Sequence, residues 1–266
     1  MRGIIDFHTH AFPDALAERA MKSLCESADM TTKLNGTLAD LLRSMDANEI
    51  EKSVLCSIAT KPSQFDPIIK WSVEIASDRI IPLPSVHPAD ADFDEHLRII
   101  KAEGFKGIKM HPYYQEFAAD EERMFRFYES LCREELILVM HTGYDISFPR
   151  IDLAGPVQII NAMTRFPEMK FVTTHFGSWQ QWEDVREHLI GKPIYMELSF
   201  ALEFIEKETA SDMIRNHPKE YILFGTDSPW TEQDETLDKL MSLGLGPEYE
   251  QLILRDNALR LLDSVR

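Results

Sequence analysis

Short apolar runs rich in β-branched residues recur along the chain, and stretches with helical periodicity separate them. The runs stand at 4–7, 53–57, 80–85, 107–110, 137–140, 170–174, 194–197 and 221–224. Amphipathic stretches lie at 37–48, 94–102, 121–134, 157–165, 182–189 and 203–216, and two more close the chain at 235–243 and 248–263. Eight strands alternating with helices predict an α/β protein, a single-domain (β/α)8 barrel (TIM barrel) over residues 1–266. An open doubly wound sheet would usually carry a glycine-rich turn after strand 1, where this chain has histidines. Thr37 followed by Asp40 reads as a variant capping box opening its helix.

The 266 residues, 44% of them hydrophobic, suffice for one barrel or two smaller domains, and the lack of a linker or composition break favours one. Charged residues interrupt every apolar run, so no membrane span is expected. A net charge of −17 repels phosphate backbones and anionic membranes, which argues against nucleic acid and membrane partners. Cys25, Cys56 and Cys132 are odd in number and form no Cys-x-x-Cys pair, so they read as reduced thiols of a cytoplasmic protein. A cleavable leader would remove strand 1, so secretion is not expected. A homo-oligomer is only the general expectation for a soluble enzyme.

The active site of such a barrel lies at the carboxyl ends of its strands. Strand 1 ends Asp6-Phe7-His8-Thr9-His10, and residues two apart share a face, so His8 and His10 can chelate one ion. Strand 4 ends Lys109-Met110-His111, strands 5 and 6 run into His141 and His175, and strand 8 runs into Asp227. By the same alternation Val139 shares a face with His141, Thr173 with His175, and Gly225 with Asp227. His8, His10, His141, His175 and Asp227 therefore converge on one mouth. Imidazoles with a carboxylate suit a borderline-soft divalent ion that keeps a position open for water. Taken singly these residues have plainer readings, as core histidines or as a cap for a turn at Asp227. His96, His188 and His217 fall on helices or helix ends among charged neighbours and read as solvated.

The opening Ile5-Asp6-Phe7-His8-Thr9-His10 resembles that of the amidohydrolase superfamily. Gly107-Ile108-Lys109-Met110-His111-Pro112, Thr174-His175-Phe176-Gly177, Phe224-Gly225-Thr226-Asp227-Ser228-Pro229 and Asn257-Ala258-Leu259-Arg260-Leu261-Leu262 resemble its amidohydrolase-2 branch. The resemblance runs from residue 4 to about residue 262. It implies a scaffold shared by amide and lactone hydrolases and by non-oxidative decarboxylases of aromatic or muconate acids. It implies His8, His10, His141 and Asp227 as ligands of a principal ion, with Asp227 also the base that takes a proton from water. His175 would ligate a second ion or polarise the substrate. Zinc is the expected metal, manganese or iron(II) the alternatives, with one or two ions per chain.

Lys109 resembles the lysine that some members carry carboxylated as a metal bridge, and unmodified it could hold a substrate carboxylate. His111 is a candidate substrate contact, and Asp6, sharing parity with His8, a candidate for orienting a ligand imidazole. In the loops after strands 4 and 5, Tyr113 is a candidate substrate contact and Arg150 a candidate carboxylate clamp. Trp179 and Trp230 could wall the pocket. The expected function is a metal-dependent hydrolase of a small carboxylate-bearing amide, ester or lactone. The alternatives are a metal-dependent decarboxylase, a phosphoesterase, and a catalytically silent barrel that binds a small molecule.

Overall fold

Each short apolar run becomes a strand covered on both faces, which is why these runs read as continuously hydrophobic. The structure, a computed structural model, describes residues 3–265. Its strands are β1 (Ile4–Thr9), β2 (Ile50–Cys56), β3 (Ile80–Leu83), β4 (Gly107–Met110), β5 (Ile137–Met140), β6 (Lys170–Thr173), β7 (Tyr195–Glu197) and β8 (Ile222–Leu223). The helices are α1 (Asp14–Ala28), α2 (Leu38–Ala47), α3 (Phe65–Ile75), α4 (Phe93–Ala102), α5 (Pro112–Gln115), α6 (Arg123–Arg133), α7 (Pro156–Arg165), α8 (Trp182–His188), α9 (Lys207–Asn216), α10 (Gln233–Ser242), α11 (Pro247–Gln251) and α12 (Asn257–Asp263).

Parallel ladders join β1-β2-β3 and β4-β5-β6-β7-β8. The seam between β3 and β4 is sparse because Pro82 and Pro84 have no N–H to donate. There the Lys109 N–H reaches the Pro84 carbonyl at 2.9 Å, and the Ser85 hydroxyl reaches the Lys109 carbonyl at 2.8 Å. The other seam is closed by Phe7 N–H to the Phe224 carbonyl and Asp227 N–H to the His8 carbonyl, both 2.8 Å. The described residues thus form the (β/α)8 barrel that the alternation predicts; residues 1, 2 and 266 of the expected domain lie outside them.

The barrel interior is graded. At its amino end Ile5, Val54, Ile137 and Leu223 pack on Ala258, Leu261 and Leu262 of α12, which plugs that end. The Lys106 and Lys170 ammonium groups donate to the last-turn carbonyls of Val265 (2.8 Å) and Ser264 (2.7 Å). Outside the barrel, Met124, Phe127, Tyr128 and Leu131 line one face of α6 and pack in the large outer core with Met110 and Leu138. At the carboxyl end the interior turns polar, with Lys109, Glu197 and His8 all buried.

Three helices fall where the sequence reading names none, and one of them, α5, is a single turn in the loop after β4. α1 buries only Ala17 and Met21, so its apolar stripe is faint. α3 carries Pro67 in its first turn, a position that helices tolerate but that interrupts the pattern. The Thr37 hydroxyl accepts from Asp40 N–H at 3.2 Å as expected, but the Asp40 carboxylate accepts from Asn35 N–H instead of completing the box. No helix among the described residues is long and apolar enough to cross a membrane.

His217 and His96 are not the solvated residues that their neighbours suggest. His96 stacks on Phe65 with ring centroids 3.7 Å apart and meets Asp90 at 2.8 Å. His217 is buried, 3% exposed, with Nε2 on the Ile194 carbonyl at 2.9 Å. Burial lowers its pKa to about 4, against the pull of that carbonyl. The unfolded chain takes up this proton near the ordinary value of 6.5 and the folded chain only near 4. The neutral ring therefore favours folding above 6.5, and that contribution is lost as pH falls from 6.5 toward 4, by at most about 3 kcal/mol. Thermal denaturation across this window should have a smaller pH slope in His217→Gln than in the parent. An unchanged slope would place the acid sensitivity elsewhere.

Candidate active site

The mouth is built by departures from regular strand geometry. Within β1 the register against β2 slips between Asp6 and Thr9, a bulge in the strand. Ile5 and Phe7 pack in the inner core, and the bulge lets His8 point inward as well, while the Thr9 hydroxyl turns to the Val54 carbonyl at 2.9 Å. His175 and Asp227 follow β6 and β8 with φ of 56° and 63°, the left-handed region that is unfavourable for residues with a side chain. Val172 packs in the inner core, so strict alternation would aim Thr174 inward and His175 outward. The left-handed turn reverses that. On β5 and β8, by contrast, the expected alternation holds.

Hydrogen bonds behind each imidazole fix which nitrogen faces the cavity. The His8 Nδ1 proton goes to Glu197 Oε1 at 2.9 Å, with the Ser199 hydroxyl 3.0 Å away. His10 Nδ1 donates to the Cys56 carbonyl at 2.8 Å, and His175 Nδ1 to the Ser199 carbonyl at 3.0 Å. His141 donates from Nε2 to the Tyr144 carbonyl at 3.2 Å. Each ring keeps its other nitrogen as a lone pair aimed at its neighbours. His8 Nε2 lies 3.1 Å from His10 Nε2, and Asp227 Oδ1 lies 3.3 and 3.1 Å from the two. His175 Nε2 lies 3.0 Å from His141 Nδ1. Acceptors facing one another at such distances repel unless a cation or proton stands between them. This donor set fits a divalent cation.

Burial holds His8, His111 and His141 well below the usual imidazole range and lowers His175 to about 4, so these rings are neutral at pH 7. The Lys109 ammonium, whose pKa burial also lowers, lies 2.9 Å from His8 Nε2 on the cavity floor.

His8, His10 and Asp227 offer ligand atoms that lie within 4.8 Å of one another. His141, expected in the same set, is held one imidazole away and reaches it through His175. It stacks on His111, with centroids 4.1 Å apart and planes 14° apart. Together with Asp145, whose Oδ2 is 3.3 Å from His111 Nε2, they make a second group able to hold a cation.

Two residues of the site went unremarked in the sequence. Asp145 sits in the loop after β5 with no distinguishing neighbour. Glu197 carried a signal: a charge ending the apolar run of strand 7 at the barrel's carboxyl end. Its carboxylate accepts from His8 Nδ1, the Ser199 N–H and hydroxyl, and the His175 N–H, at 2.7–3.0 Å. Burial pushes it up to about 8, against the two Ser199 donors and the nearby Lys109. Gly225 makes room for it, since a Cβ there would lie 2.3 Å from Glu197 Oε2.

Glu197 thereby takes the orienting role expected of Asp6. The Asp6 carboxylate faces away from the cavity and accepts from the His8 and Thr226 N–H groups, the Thr226 hydroxyl and Gln233 Nε2. Arg150 is also displaced from its expected role. It is exposed, bonded to Gln180, and lies over the Tyr144 ring at 5.3 Å. Tyr113 donates its hydroxyl to the Ile151 carbonyl at 2.6 Å, and its neighbour Tyr114 lines the cavity instead. Lys109, His111, Trp179 and Trp230 do line the cavity, which measures about 410 Å³.

The family model for amidohydrolases matches residues 5–263. No curated protein sequence matches the chain. An uncharacterised TIM-barrel protein from Bordetella bronchiseptica shares its fold at a TM-score of 0.78 and 19% identity, covering 99% of both chains. A dihydroxybenzoic acid decarboxylase from a Polaromonas species, solved with manganese and 2-nitroresorcinol, aligns at TM-score 0.70 and 17% identity over 100% of this chain and 98% of that one. A candidate 2-pyrone-4,6-dicarboxylic acid hydrolase from Pseudomonas putida aligns at 0.68 and 14% over 99% and 98%.

Substituting Glu197→Gln replaces the carboxyl group that orients the His8 ring with an amide while keeping the side chain's shape. Manganese affinity, read by calorimetry, is expected to fall about 10- to 100-fold with the circular dichroism spectrum unchanged. Equal affinity would show that Glu197 does not set the His8 ligand geometry.

Proposed function

Because the chain belongs to the amidohydrolase family, we propose that it is a metal-dependent hydrolase of a small amide, ester or lactone. His8, His10 and Asp227 would hold the cation, with His175 or His141 completing the set. When bound, such a cation supplies Lewis acidity, polarising a carbonyl and making hydroxide available near neutral pH. Zinc or manganese would serve.

The observation that carries this reading is that four imidazoles, three of them buried, and Asp227 present acceptors to the cavity (the His8, His10 and His175 Nε2 atoms, His141 Nδ1 and Asp227 Oδ1). Asp227 is the group placed to take a proton from water and pass it to the leaving atom. His175, with Nδ1 committed to the Ser199 carbonyl, faces the cavity with an acceptor; it serves as ligand or proton acceptor rather than as a donor to the substrate oxygen. A decarboxylase must instead deliver a proton to carbon; the His8, His10, His141 and His175 tautomers turn no N–H to the cavity, so that task would fall to Asp227 or Lys109. Lys109 Nζ lies among the ligand atoms, 2.9 Å from His8 Nε2, and its carboxylation would make a second cation site.

Metal content by elemental analysis, followed by assay on esters, lactones, amides and dihydroxybenzoates, separates these chemistries. Zinc- or manganese-loaded protein is expected to hydrolyse at least one neutral class, and Asp227→Asn to lower that rate about 100- to 10,000-fold. Carbon dioxide release from a dihydroxybenzoate without any hydrolysis would overturn the reading in favour of a lyase. Protein that binds no divalent metal would overturn both.

A further inference from the structure

We infer that the substrate's non-reacting part is uncharged and apolar, and that it lies beneath α1 and α3 against Leu16, Leu24, Met30, Ile68, Trp71 and Trp230. This rests on the hydrolase reading of the same site and adds the substrate class to it. Those six side chains line the same cavity as the histidine cluster, and they come from α1, the segment after it, α3, and the loop after β8. The volume of about 410 Å³ falls within the roughly 300–1,000 Å³ usual for small-molecule sites.

Recognition of a remote carboxylate needs a cation or a set of convergent donors, because an unpaired buried charge is costly. Among the described residues lining the cavity there is no arginine. Arg150 is turned outward to Gln180, and the one lysine, Lys109, is held on the floor against His8. Apart from the proposed cation, the cavity's formal charges are otherwise Asp145 and Asp227, and the chain carries a net −17, so a second anionic group remote from the cation meets an opposing field. An aryl or branched alkyl group seated on Trp71 and Ile68, by contrast, gains burial without needing a partner.

Phenylacetone and its para-carboxylate are a matched pair of non-hydrolysable probes, and Trp71, Trp179 and Trp230 all line the cavity, so intrinsic fluorescence reports their binding. With manganese-loaded protein the neutral ketone is expected to bind at least about tenfold more tightly than the carboxylate. Leu24→Arg, on the half-buried face of α1, is expected to narrow or invert that preference. Equal or tighter binding of the carboxylate by the parent protein, or no binding of the neutral ketone, would overturn the inference. Methyl phenylacetate and its para-carboxylate then test turnover. Tight ketone binding with no hydrolysis of this ester or of any lactone or amide would leave the inference standing and remove the hydrolase reading. Hydrolysis confined to the carboxylate ester would do the reverse.

Discussion

The Glu197 carboxylate accepts from a ring on β1, from the backbone at the end of β6 and from Ser199 beyond its own strand, all at 2.7–3.0 Å. Three elements are thereby tied at the level where the barrel interior changes from apolar to polar. A buried carboxylate is tolerated only when its lone pairs are satisfied, and here the satisfying donors are the groups whose orientation the site needs. The His175 N–H is one of them, and it can reach Glu197 because the backbone turns left-handed at that residue. The conformation that costs the chain local strain is thus held by the same acid that sets the His8 ring. Gly225 shows how tightly the arrangement is packed: only a residue without a side chain fits beside Glu197.

The amino end of the barrel is held quite differently. Aliphatic side chains of the strands close on α12, and Lys106 and Lys170 cap the Val265 and Ser264 carbonyls that follow it. Stability and chemistry are separated along the barrel axis, as they are in this architecture generally. His217, buried beside β7 but outside the cavity, makes the same point. Its depressed pKa belongs to packing, although by residue type it could have been taken for part of the site.

The strands were legible in the sequence because parallel strands buried on both faces are continuously apolar, a pattern that survives small errors of boundary. His8, His10 and Asp227 were legible because histidines and an aspartate at strand ends have few bland explanations. Alternation alone gave the correct side for His141 and Asp227, but it misjudged the relation of Asp6 to His8. A bulge leaves no composition signal, and neither does a left-handed residue when the residue is histidine rather than glycine. α1 escaped because it buries so little, although it supplies a wall of the cavity. Arg150 illustrates the remaining limit. Position in a loop on the active face does not determine where a long side chain points, and here Gln180 and Tyr144 hold it outward.

These two kinds of legibility correspond to two kinds of structural control. The groups that would carry chemistry sit on or just after strands, and main-chain carbonyls of Cys56, Tyr144 and Ser199 fix three of the inward-facing imidazole nitrogens. Such bonds depend on the path of the backbone, so any sequence that closes this barrel with histidines at these positions tends to reproduce the acceptor set. The walls that would choose a substrate come from α1, α3 and the loops, where apolar side chains pack without directional partners. Nothing in the strand ends constrains their size or charge. A family match over nearly the whole chain therefore speaks to the acceptor set, whereas the substrate must be read from the residues opposite it.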